Sequence, residues 1–140
     1  MQTLEKDDTL VVSLQPGEEI LASLLDVAKT HNITAGSLSG LGSVSEAELA
    51  FFDPDKGQYL PRTFREPMEI GNMVGNFSLL EGENHVHVHA SLSGRELIAF
   101  TGHLSRGVVG TACEIYIRKV SAEVRRVKDS AKGFNPLELT

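Results

Sequence analysis

Three of the chain's five histidines fall at every second position in HVHVHASLS (residues 85–93): His85, His87 and His89. Successive residues of a β-strand point to opposite faces. An extended backbone here therefore gathers the three imidazoles with Ser91 and Ser93 on one side, and turns Val86, Val88, Ala90 and Leu92 to the other. Neutral imidazole nitrogens suit zinc and other first-row transition metals. Same-face neighbours lie roughly 6.5–7 Å apart at Cα, from a rise of ~3.3 Å per residue. Two rings at that spacing can converge on one ion with bonds near ~2.0 Å. His85 and His89, twice as far apart, are poorly placed to share one. The spacing offers a metal site built on one adjacent pair; the competing reading is a solvated strand face that carries imidazoles without an ion.

A further ligand comes from the next strand. The turn around SGRE (93–96) folds ELIAFTGHL (96–104) back as a hairpin. A slip of one residue would swap its faces. Matching the apolar sets puts Ile98 and Phe100 beside Val86, Val88 and Leu92, and leaves His103 on the histidine face. A three-residue loop, Gly94-Arg95-Glu96, predicts His103 opposite His87. One adjacent pair plus His103 makes a facial three-histidine set, with water or substrate completing the coordination as in open zinc sites. Glu114, in ACEIYI (112–117), is a candidate acceptor for a ring N–H. An edge carboxylate paired with Arg118 is the alternative reading of Glu114.

The elements that must position these residues are mostly strands. DTLVVSL (8–14) alternates as a first strand. QPGEEILASLLDVAKTHN (15–32) is the one helix, with Ile20, Leu21, Leu24, Leu25 and Ala28 at helical spacing, acids in its first turn and Lys29 and His31 near its last. ITAGSLSGLGSVS (33–45) and EAELAFFD (46–53) read as two strands, the second ending in the turn DPDKGQ (53–58). Residues 59–84 read as an irregular edge followed by a strand at Met68–Leu80, and VVGTACEIYIRKVSAEVRRV (108–127) completes a set of six to eight. This pattern predicts a single α+β domain with a mixed, mostly antiparallel sheet and one main helix near the N-terminus. Its core is expected at about 8–125, with 128–140 as a tail ordered by docking.

Thirteen basic against nineteen acidic residues give a net charge of −6. That balance disfavours a protein that tracks phosphates, whose affinity comes largely from counterion release. The basic stretches IRKV (117–120) and EVRRVKDSAK (123–132) read as a solvated edge or tail. No apolar run approaches the ~20 residues that span a bilayer. The acidic start MQTLEKDDTL lacks the apolar segment of a signal peptide, and Cys113 is the only cysteine. A cytoplasmic protein without a disulfide framework is expected.

Cupins also carry H-x-H on a strand, but here the first acid beyond it, Glu96, comes only after the turn. The early helix is also unusual for that fold. HVHASLSG (87–94), TGHL (101–104) and GTACEIYI (110–117) instead resemble the PPC domain, the plants-and-prokaryotes-conserved domain. The family pattern runs H-L-H-x-x-L-S, a turn, G-G-H-L, then a strand bearing an acid. GLGSV (40–44), AFFD (50–53) and PMEIGNMVGNFS (67–78) also look like the family's strands, so the likeness covers roughly residues 8–125. It implies a helix beside a mixed sheet, a homotrimer, and His87, His89 and His103 as the set that holds a divalent transition metal such as zinc. His85 is then an extra residue on the same face, and Thr101 stands where the family often has glycine.

In plants the domain follows AT-hooks and is associated with DNA; this chain has no R-G-R-P core. The resemblance implies an oligomeric metal-binding protein with a DNA-associated or regulatory role. The alternatives are a metal-dependent enzyme acting on a small ligand at the three-histidine site, and a pure interaction domain.

Overall fold

A computed structural model describes residues 1–139. Its elements, in chain order, are β1 (Gln2–Lys6), β2 (Thr9–Leu14), α1 (Ile20–Thr30), β3 (Gly36–Asp53), β4 (Gln58–Phe64), β5 (Met68–Leu80), β6 (Glu83–Ser93), β7 (Ala99–Lys119), β8 (Arg125–Arg126) and β9 (Leu137–Glu138). The class is α+β with one helix. All strand pairings are antiparallel except that between β5 and β8. No helix among the described residues is long and apolar enough to cross a membrane.

Two strands run longer than the sequence pattern suggests. The stretches read as separate strands at 33–45 and 46–53 are one, β3, and those at 96–104 and 108–127 merge into β7, which ends at Lys119. Both are broken in register by bulges, and a bulge re-phases the alternation of faces. Thus Leu38 and Val44 point inward at even positions of β3, and Leu49 does so at an odd one. At the first bulge Gly42 takes φ +148°, and a Cβ there would run into the Ala112 carbonyl. Only glycine lets the two long strands approach so closely.

β3 pairs with both β5 and β7, and β6 pairs with the same two, so the four strands close into a ring of pairings. The interior is filled by Leu38, Met73, Phe77, Val88, Leu92, Leu104, Ile115 and Ile117 among others. Helix α1 packs against β6 and β7 and adds Ile20, Leu24, Val27 and Ala28 to that core. The acids expected in its first turn stand just before it. Glu19 is the N-cap, its side chain accepting from Ala22 N at 2.7 Å and from Gly107 N on β7 at 3.0 Å. One carboxylate thereby satisfies an orphan helix amide and fixes the helix to the sheet.

Two further elements depart from expectation, and the tail docks through a third. The acidic N-terminus forms strand β1, with Glu5 bonding His31 at 2.6 Å and also pairing with Lys119. The segment read as an irregular edge is strand β4 beside β3. Within the tail set apart at 128–140, β9 pairs with β8, which in turn lies against β5; Thr140 lies outside the described residues.

Candidate metal centre

The alternation of β6 has the predicted polarity. Val88, Ala90 and Leu92 are buried, while His85, His87 and His89 stand on the outer side. Register brings in the fourth imidazole, two residues from where the hairpin pattern puts it. His103 pairs with His89, not His87, because the loop runs from Gly94 to Ile98 rather than ending at Glu96. The physical reason lies in Leu97 and Ile98. Leu97 takes φ +58° in the turn, and both side chains are exposed, so Ile98 is not a core residue beside Leu92. A shift of two preserves the face, and His103 still joins the cluster.

His87, His89 and His103 each offer a nitrogen, all within 4.8 Å of one another. Their ring centroids are 5.0 to 5.8 Å apart. Two nitrogens bound to one tetrahedral zinc are about 3.4 Å apart, from bonds of ~2.1 Å, so ring rotations that bring the donors together by up to about 1.4 Å close the set on an ion. Two of these rings each carry a buried nitrogen with no hydrogen-bond partner, His87 Nε2 and His103 Nδ1. Leaving such a group unpaired costs roughly 1–3 kcal/mol. The donor set therefore fits a transition-metal ion.

Burial keeps His87 and His103 in the form that binds metal. Burial, aided by the neighbouring His103, Arg126, His89 and His85, holds His87 down at about 4. Burial also lowers His103, with His89, His85 and Arg126 adding to it, and lowers His85, with Arg126 adding. Neutral imidazole is the ligand form.

His87 and His103, but not His89, face a cavity of about 390 Å³, walled also by Tyr59, His85, Arg126 and Phe134 among others. Tyr59 lies against the His103 ring at 4.7 Å between centroids. Arg126, from β8, reaches His87 Nδ1 at 3.3 Å. His85 lines this cavity but lies outside the three-histidine group. Glu114 is not brought to it. It sits on β7 beside Leu41 of β3, while His89 is on β6, with β5 between β6 and β3. Among the described residues it forms no ion pair with Arg118 either. Tyr59 and Arg126 are cavity residues that the sequence pattern did not single out for it. Arg126 was noted only as part of a basic stretch, and nothing in the spacing links either to the histidines.

Comparison with known proteins places these features in a group. No curated protein matches the sequence. A structure from Bacteroides thetaiotaomicron, named a "putative dna binding protein", is 29% identical, with TM-score 0.93 over 98% of this chain and 96% of that one. A metal-containing protein from Archaeoglobus fulgidus is 25% identical, with TM-score 0.88 over 96% of each chain. A plant- and prokaryote-conserved protein from Pyrococcus horikoshii is 27% identical, with TM-score 0.86 over 99% of this chain and 94% of that one. The sequence model of the Plants and Prokaryotes Conserved (PCC) domain matches residues 1–121, and the chain belongs to that family.

Proposed function

We propose that this chain is a metal-binding protein in which His87, His89 and His103 hold one divalent transition ion, zinc in the first instance. The observation that carries this reading is the pair of buried ring nitrogens without partners, on two of three histidines whose donor atoms lie within 4.8 Å. One ion would satisfy both. The Archaeoglobus relative, described as metal-containing, lends support. Zinc suits three imidazoles and an open fourth position, and an ion there would supply a Lewis-acid centre able to acidify a water. Zinc titration against a competing chelator tests the reading. The wild type should bind one equivalent per chain, and alanine at His103 should weaken binding as much as alanine at His89. Unchanged affinity in both variants would contradict it.

The working unit in this reading is a homotrimer in the cytoplasm. The family resemblance supplies the number three. A motive for association lies beside the site: His89 pairs with Val74, which is 47% exposed, and across Ser39 lies Tyr116, 58% exposed. Leu41 on the same strand as Ser39 is exposed as well, and large apolar side chains left in water on a sheet are of the kind that subunits cover. The buried, unpaired Cys113 accords with a reducing compartment.

A DNA-associated role rests on the name carried by the Bacteroides relative. The second reading, a metal-dependent enzyme acting on a small ligand, is favoured by the cavity that His87 and His103 face.

A further inference from the structure

Arg126 occupies an unusual position for a guanidinium. It is partly buried, and its partners are all neutral. Nε donates to Ser78 Oγ at 3.1 Å, Nη1 to the Asn135 carbonyl at 2.7 Å and Nη2 to Asn76 Oδ1 at 2.9 Å, with His87 Nδ1 3.3 Å from Nη2. Among the described residues it joins no ion pair. The one acid lining the cavity, Asp129, is engaged by Lys132 at 2.9 Å. Burial works against the Arg126 charge, and Tyr59 alone eases it. Arginines taken out of water ordinarily have a carboxylate beside them. A guanidinium has five N–H donors; the contacts above use four, leaving one on Nη1.

We propose that the cavity binds a small oxyanion, a carboxylate or phosphate group, anchored by Arg126 beside the three-histidine centre. The inference rests on reading that centre as a metal site. Three neutral imidazoles, a divalent ion and Arg126 together carry three positive charges, and no free acid in the cavity wall offsets them. Such a field concentrates anions. His87 adds a geometric reason. A ring bound to an ion through Nε2 carries its proton on Nδ1 and can no longer accept from Arg126. Two N–H groups would then face each other across 3.3 Å. An anionic oxygen beside both accepts from each, so anion and metal strengthen one another's binding, reciprocally. The cavity, about 390 Å³, has room for a small molecule, and Tyr59 and Phe134 offer an apolar wall to its organic part.

Cobalt(II) is a suitable probe, because its visible spectrum responds to its coordination sphere. Acetate and inorganic phosphate are titrated separately into the cobalt-loaded protein, so the preferred arm identifies the oxyanion. A saturable spectral change is expected with at least one. Arg126→Met and Arg126→Lys should weaken it roughly ten- to hundredfold, as loss of a charge-assisted hydrogen bond does, with cobalt stoichiometry retained. Variants that load cobalt and bind both anions as the wild type does would overturn the inference and leave the metal reading intact. No cobalt uptake by the wild type would defeat the metal reading instead. The anchor is then decided on metal-free wild type by the Arg126 Nε–Hε resonance. A saturable shift on adding either anion supports the anchor, and none refutes it. The same resonance decides the matter if the variants do not fold.

Discussion

His87 combines two properties that pull against each other: it is half-buried, and it is surrounded by groups that carry or can acquire positive charge. Its depressed value, about 4, has a consequence for the metal-free protein. Above ~6.5 the ring is neutral in both folded and unfolded chains. As pH falls from there toward 4, the unfolded chain takes up a proton that the folded one refuses, so stability drops with pH. The metal-free protein is predicted to lose stability progressively across that window, and His87→Gln to lose less. Denaturant midpoints measured at several pH values check this; parallel slopes for the two proteins would count against it. The cluster itself was legible in the sequence, because period-two spacing dictates which side chains share a face. Arg126 in the cavity was not. It lies 39 residues beyond His87, and only the return of the C-terminal segment along β5 brings them together.

The strands that hold these side chains were legible in kind and misjudged in length. The small and polar residues around SVSE (43–46) and the charged, glycine-bearing SRG (105–107) look like ends of strands. Here they are bulges, where two long strands bend and swap faces without parting. The hairpin register was missed by two residues because Ile98 is apolar yet belongs to the loop, and no pattern of hydrophobicity marks that. The acidic β1 was missed for the opposite reason: every residue in it is exposed, so it has no alternation to read. At Gly75, paired with Val88 on β6, a Cβ would collide with the His87 carbonyl. Gly75→Ala is therefore predicted to cost about 1–3 kcal/mol, as overpacking does, and to weaken metal binding by displacing β6 at His87. Thermal unfolding and a metal titration on the same variant test both halves; a change in neither would mean the strands part easily there.

For the whole molecule, the closed ring of strands buries one face and leaves Leu41, Val74 and Tyr116 exposed on the outside, with Val74 paired to His89. Light scattering after size exclusion at micromolar concentration should give three chain masses. A stable dimer would keep the burial argument and refute the trimer, and a monomer would refute both. Charge argues against tight binding of duplex DNA. Of the basic residues near the C-terminus, Lys119 is tied to Glu5, Arg125 to Glu123, Lys128 to Glu81 and Lys132 to Asp129, and Arg126 turns into the cavity, leaving Arg118 exposed without an acidic partner among the described residues. With net charge −6, duplex binding is predicted to be weak and steeply salt-dependent. Nanomolar affinity in an anisotropy titration at physiological salt would overturn this. The account turns on the histidines, and elemental analysis reaches them most directly. Protein purified without a histidine tag or added metal should contain about one transition-metal ion per chain, zinc foremost, and His89→Ala and His103→Ala should both lose it. Full metal content in those two variants would mean that the ion sits elsewhere and that the site has been misread.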